Sequence, residues 1–395
     1  MMKRGEGLAF AVRAAAFAAA VFFANGTYIP FFPIWLAGRG MSEAEIGTLV
    51  AAPLLVRLLF TPFVVGAADR FPSLRSAATV YALAAGLIYA ALFFFSGYWP
   101  ILFFSALAFM FWGAQGPLSE ATTLYGVRKH GIDYARVRLW GSLGFLGGTL
   151  VGAVAVERYT DAAVLPVLVA SYLLAGALAM VSPRVPTTAV GGESVGMRHA
   201  LTDPTLRRAL VAGNLVLGGH GAFYAFGSIY WQEQGFSGAL IGVLWAYSVA
   251  AEIAVFWAAK RLPGWGARRM ILAGCAVAIV RWLLFPFATD PVAAFALQTL
   301  HAATFGLTHL GIMMAIGAVA VPGHTARLQA AHQVIGGLML AAAMAASGPL
   351  FRVAPVLAFS AMSALAVVAL LIAWGLRRGL QPQSAGSGGS ASAPE

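Results

Sequence analysis

The run LAFAVRAAAFAAAVFFANGTYIPFFPIWL, residues 8–36, carries a single charged side chain, Arg13. A hydrocarbon core about 30 Å thick is crossed by about 20 apolar residues rising about 1.5 Å each, so this run spans a membrane with residues to spare. Its alanines could be taken for a signal peptide, but the run is too long for one and eleven more follow. They fall at 45–66, 76–96, 101–124, 139–157, 162–182, 209–231, 239–260, 270–288, 292–320, 328–349 and 355–376. Membrane β-strands would instead show short segments of alternating polarity. The expected fold is an all-α polytopic membrane protein with twelve transmembrane helices.

Composition agrees. Of 395 residues, 60% are hydrophobic and 10% charged, whereas a soluble domain carries about 25% charge. A net charge of +11 would suggest nucleic acid if it formed one patch. With the amino terminus placed inside, 19 of the 25 Lys and Arg fall in inner segments, from Lys3 and Arg4 to Arg377 and Arg378. Outer loops hold Arg39, Arg158 and Arg352, and Arg13, Arg57 and Arg281 lie within spans. This is the positive-inside pattern, with both termini cytoplasmic, and it removes the nucleic-acid reading. Expected partners are a small solute, protons and membrane lipids around a monomer in a bacterial-type inner membrane. The single cysteine, Cys275, excludes an internal disulfide.

Six spans precede a Pro- and Gly-containing stretch and six follow it. The expected units are 1–182, a six-helix bundle; 183–208, a cytoplasmic linker; 209–378, a second six-helix bundle; and 379–395, a disordered tail. A repeat supports the halves. GMSEAEIG from Gly40 matches GFSGALIG from Gly235, and Tyr28 and Trp35 match Tyr224 and Trp231 at an offset of 196. Ser42 and Ser237 stand where they would cap the second and eighth helices.

Together with this division, GAADRFPSLR (Gly66 to Arg75) resembles the major facilitator superfamily, whose loop signature is met by Gly66, Asp69, Arg70 and Arg75. Pro72 to Leu74 replace the usual Gly-Arg-Arg run. DYARVRLWGSLGF (Asp133 to Phe145), AFYAFGSIYWQEQGFS (Ala222 to Ser237), the Ala251-Glu252 pair, VRW (Val280 to Trp282), LQTLHAATFGLTHLGIMM (Leu297 to Met314) and RLQA (Arg327 to Ala330) are similar to the 3-phenylpropionic acid transporter family within it. The resemblance implies two bundles related by a pseudo-two-fold axis that rock about a midplane substrate site. It also implies a cavity lined by helices one, four, seven and ten, and gating roles for Asp69, Arg70, Arg75, Arg136 and Arg138.

Ionisable groups within spans are costly and should face such a cavity. Glu252, deep in span eight on one face with Trp245 and Ser248, is the leading proton-coupling candidate, since a carboxylate sheds its charge by taking a proton. His301, His309 and Glu120 are further candidates; either histidine could instead simply bond a neighbouring hydroxyl. Arg57 occupies the position equivalent to Glu252 in the first half, so the two would pair across the bundles, or Arg57 would hold an anionic substrate. Arg281 is the alternative partner for Glu252. Two arginines against one glutamate leave a positive charge over, which points to a carboxylate substrate unless Glu120 compensates. Asn25 and Tyr28 with Phe32 and Trp35, His220 with Tyr224 and Trp231, and Thr304 complete the candidate substrate face. Trp35 and Trp231, near span ends, read better as interfacial anchors.

The glycines from Gly141 to Gly152 read as close helix packing. His309 and Met313 form an HxxxM spacing with too few ligands for a metal, and no cofactor is implied. HExxH and P-loop strings are absent from the sequence, and its GxSxG spacing, Gly192 to Gly196, falls in the expected linker, so an enzyme is disfavoured. The function expected is proton-coupled import of a small aromatic carboxylic acid by alternating access. Symport of a neutral sugar or nucleoside, efflux by antiport, and a membrane enzyme or sensor are the alternatives.

Overall fold

A computed structural model describes residues 2–187, 202–259, 265–319 and 325–376. Most of the expected linker, 188–201, and the tail, 379–395, lie outside the described residues. Twelve helices are long and apolar enough to cross a membrane: α1 (Gly5–Gly38), α2 (Glu43–Arg70), α3 (Leu74–Phe93), α4 (Tyr98–His130), α5 (Tyr134–Tyr159), α6 (Asp161–Val181), α7 (Pro204–Glu233), α8 (Gly238–Ala258), α9 (Ala267–Phe287), α10 (Pro291–Val319), α11 (Leu328–Val353) and α12 (Pro355–Trp374). Each overlaps one expected span. The largest departure is α4, which runs on to His130 and so places Glu120 in the middle of its second half.

The helices pack as two bundles. Within the first, α1 lies along α5 and α6, and α3 along α6 and α4; in the second, α12 packs on α9 and α7, and α11 on α7. The α1–α5 contact bears out the glycine reading. A Cβ at Gly144 or Gly148 would collide with the main-chain carbonyls of Ala19 and Phe23.

The repeat is structural as well as textual. Gly40 and Gly235 both have left-handed backbones, φ 74° and 81°, where a side chain would be strained. The residue after each bonds back to its preceding helix in the same way, Met41 N–H to the Leu36 carbonyl and Phe236 N–H to the Trp231 carbonyl. Ser42 then caps α2 in a full capping box with Glu45, and Ser237 accepts from Leu240 N–H at the start of α8.

The main contacts that join the bundles are α1 with α7, α2 with α11, and α5 with α8, with a smaller one between α2 and α7. Near the α1–α2 and α7–α8 turns the contact is between main chains. A Cβ at Gly348 would meet the Glu43 carbonyl, and one at Gly47 the Met344 carbonyl. Beside them, Ala239 N–H donates to Glu157 Oε2 over 3.2 Å. The molecule is closed at this end.

Four cavity-side helices are irregular. Pro30 and Pro33 interrupt the hydrogen bonding of α1. α4 breaks between Trp112 and Gln115, and α7 between Gly218 and Gly221. α10 widens into a π-turn over Ala302–Leu307. Broken and widened helices of this kind free polar groups to face a binding site.

Candidate functional site

A cavity of about 150 Å³ lies between the bundles, lined by residues that include Asn25, Tyr28, Arg57, Phe109, Tyr224 and Met344. They come from α1, α2, α4, α7 and α11, so the site is assembled only when the bundles meet. The break in α4 makes room for it: a side chain at Gly113 would overlap the Arg57 Cγ and Thr61 Oγ1. None of the described residues offers Arg57 a hydrogen bond or an ion pair. Asn25 is oriented from behind, because Trp112 Nε1–H donates to its Oδ1 over 3.0 Å. That leaves the Asn25 amino group as the donor available to the cavity. Phe109 and Tyr28 form an aromatic wall, centroids 4.8 Å apart.

Tyr224 joins this cavity to a second cluster, its ring centroid lying 5.8 Å from that of His220. At the centre is Arg281, fully buried. Its NH1 group lies 3.2 Å from His220 Nε2, 3.1 Å from His301 Nδ1 and 3.0 Å from Thr304 Oγ1. NH2 donates to Gln298 Oε1 over 2.7 Å, and the guanidinium stacks over Trp282 at 4.3 Å. Gln298, His301 and Thr304 follow one another at three-residue spacing up to and into the π-turn, which turns all three toward Arg281.

Glu252 contacts neither arginine. Its nearest charged or titratable partner is His301, with Nε2 3.9 Å from Oε2. Across the α5–α8 seam, Arg138 is near enough to act on it electrostatically. The expectation that Arg281 or Arg57 pairs with Glu252 is therefore corrected. Around Arg281, neutral acceptors meet the NH1 and NH2 groups and an aromatic ring covers one face instead, while Nε has no partner among the described residues.

Other expected site residues divide. Trp245 and Ser248 are buried beside the cavity and do not line it; Trp245 Nε1–H donates to Ser228 Oγ over 2.8 Å and its ring packs on Phe223 and Tyr224. His309 sits apart from the Arg281 cluster, with its ring 5.8 Å from that of His332. Glu120 lies near Tyr134 at the start of α5 and compensates neither arginine. Trp35 and Trp231 are corrected from interfacial anchors to core. They are 1% and 0% exposed and pack on Phe32, Phe223 and Phe285, because the helix ends they occupy are covered by neighbouring helices.

Asp69 and Arg70 are exposed at the end of α2, and Asp69 makes no ion pair among the described residues. Arg75 lies nearest two other arginines, Arg13 and Arg184. Arg136 pairs with Asp133 at 3.4 Å, and Arg138 lies over the Phe22 ring at 4.5 Å. The relay contact expected of the Asp69 loop is not made in this arrangement.

Gln298 and Trp112 were not anticipated. Gln298 had a signal, three residues before His301 and six before Thr304. Trp112 had none, since nothing local ties it to Asn25.

Comparison with known proteins gives a consistent family. The model of the MFS_1 like family matches residues 16–362. The chain is 31% identical over 320 residues to the probable 3-phenylpropionic acid transporter of Escherichia coli (strain K12), covering 80% of this chain and 84% of that one. It is 30% identical over 285 residues to the maltose permease of Geobacillus stearothermophilus, covering 71% of each. Among solved structures, that of the nucleoside transporter NupG is similar with a TM-score of 0.79 at 11% identity, covering 92% of this chain and 97% of that one.

Proposed function

Since the chain belongs to the MFS_1 like family of major facilitator transporters, we propose that it imports a small aromatic carboxylate together with protons by alternating access. It is a secondary transporter and not an enzyme. The carrying observation is Arg57, a cation without an acceptor among the described residues, in a cavity walled by Tyr28, Phe109 and Tyr224. Arginine presents its donors as a planar fork that matches a carboxylate. The Asn25 amino group adds a second donor, and the aromatic wall suits a flat apolar body. The similarity to the Escherichia coli protein supports an aryl-alkanoic acid.

Glu252 is the proton carrier in this reading. Ionised, it is attracted by the His301 N–H 3.9 Å away and by the field of Arg138 across the bundle seam; protonated, it loses both attractions. Proton binding at one membrane face and loss at the other thereby alters a contact between the two bundles. The similarity to a maltose permease favours a second reading, symport of a neutral sugar. A sugar hydroxyl would offer Arg57 a single neutral acceptor, whereas a carboxylate matches its two parallel donors, so the acid is preferred. We further place the protein in a bacterial inner membrane with both termini in the cytoplasm, on the distribution of basic residues.

Uptake of radiolabelled 3-phenylpropionate into proteoliposomes tests the proposal. An inward proton gradient should accelerate it, and an excess of unlabelled acid, but not of its amide, should compete. Uptake of maltose with no response to carboxylates would replace the acid with the sugar.

A further inference from the structure

The polar groups around Arg281 determine one another's protons. Guanidinium groups only donate, and carbonyl oxygens only accept. His220 Nδ1 lies 3.1 Å from the carbonyls of both Val216 and Leu217, so it carries the hydrogen, and its Nε2 faces Arg281 as an acceptor. His301 is the reverse. Its Nδ1 faces Arg281 at 3.1 Å, so that nitrogen is the acceptor and the hydrogen sits on Nε2, the atom 3.9 Å from Glu252. NH1 has two hydrogens and three neighbours. Thr304 receives one from Arg281 over 3.0 Å, and its own hydroxyl hydrogen has two acceptors in reach, His220 Nε2 at 3.2 Å and the His301 carbonyl at 3.3 Å; given to His220, it balances the count.

We infer that Arg281 is a positioning residue that locks His220 and His301 in opposite neutral tautomers and aims the His301 N–H at Glu252. Each ring's only lone pair is then occupied by the Arg281–Thr304 circuit, so neither histidine has a site for the transported proton. Glu252 is left as the carrier, with the His301 N–H as the neighbouring donor 3.9 Å from its carboxylate. This last step rests on the coupling role proposed above, while the lock itself does not. Gln298 anchors the arrangement from the other side, accepting from NH2 over 2.7 Å and donating to the Leu244 carbonyl of α8 over 3.2 Å. It thus ties Arg281 to the helix that bears Glu252. The groups facing Glu252 from the surrounding elements are His301 on α10, Tyr224 on α7 and Arg138 on α5.

Nitrogen-15 NMR of the full-length protein in lipid, labelled only at its seven histidines, tests the lock. The two signals are assigned by their loss in His220→Gln and His301→Gln. At neutral pH the wild type should show His220 protonated at Nδ1 only and His301 at Nε2 only. Substituting Arg281→Lys, which keeps the charge and loses the fork, should turn the His301 signal into a mixture of tautomers. An imidazolium at either position, or Nδ1–H at His301 in the wild type, overturns the proposal, as does a single unchanged tautomer in Arg281→Lys. Should the variant not fold, the wild-type spectrum alone decides. Transport is not involved in this readout, so absence of proton coupling at Glu252 would leave the lock standing and be recognised separately.

Discussion

Tyr28 of α1 and Tyr224 of α7, 196 positions apart in a duplicated sequence, line one and the same cavity. The pair places a like group from each bundle at the site, while the charges around it are unlike: Arg57 from the first bundle, and Glu252 at its repeat position in the second. In the proposed mechanism, recognition and coupling are in this way divided between the halves.

Replacing Arg57 should remove carboxylate recognition. Hydrogen bonds to charged groups contribute about 1.5–3 kcal/mol, so Arg57→Gln is expected to weaken binding by about 10- to 100-fold. Arg57→Lys should recover only part of this, because the fork is lost. Titration calorimetry with 3-phenylpropionate measures both; equal affinity in all three proteins would remove Arg57 from the site.

Glu252→Gln should separate drive from exchange. Gradient-driven accumulation is expected to disappear, while counterflow of labelled against unlabelled acid continues at a rate near that of the wild type. Retained accumulation at full rate would exclude Glu252 as carrier.

Trp112→Phe keeps the ring and deletes the hydrogen that orients Asn25. One hydrogen bond nets about 1 kcal/mol, so affinity should fall by about fivefold with folding intact. Thermal unfolding with and without acid distinguishes a loss of ligand stabilisation from a loss of stability.

Gly348→Val should disturb the closed end. With Cys275 replaced by alanine and a cysteine placed at Asn25, an impermeant thiol reagent added from the side of the α1–α2 turn should label faster than in the parent carrying Gly348. Equal rates would show that this seam does not govern access.

Much of the fold could be read from the residues alone because membrane crossing leaves a one-dimensional mark: twelve apolar runs, and at equivalent places the glycine-serine turns at Gly40 and Gly235. The convergence of Tyr28, Arg57 and Tyr224 was also legible, since buried charge and its neighbours must face a shared cavity. Pairings between helices were not. Spacing along α9 and α10 places Arg281 and His301 near mid-membrane but does not say which faces meet, and the π-turn at Ala302–Leu307 rotates that face further. Neutral partners were the harder ones to foresee, because Gln298 and Thr304 carry no charge that demands an explanation.

The seam at Gly47 and Gly348 has a consequence for control. Main chain pressed on main chain at these glycines offers nothing to protonate, modify or chelate, so the titratable contact at this end is the Glu157 carboxylate that accepts from Ala239. In the proposed mechanism the seam would serve as a fulcrum, and the lever that turns about it would have its handle at mid-membrane, where Arg57 and Glu252 would respond to what is bound.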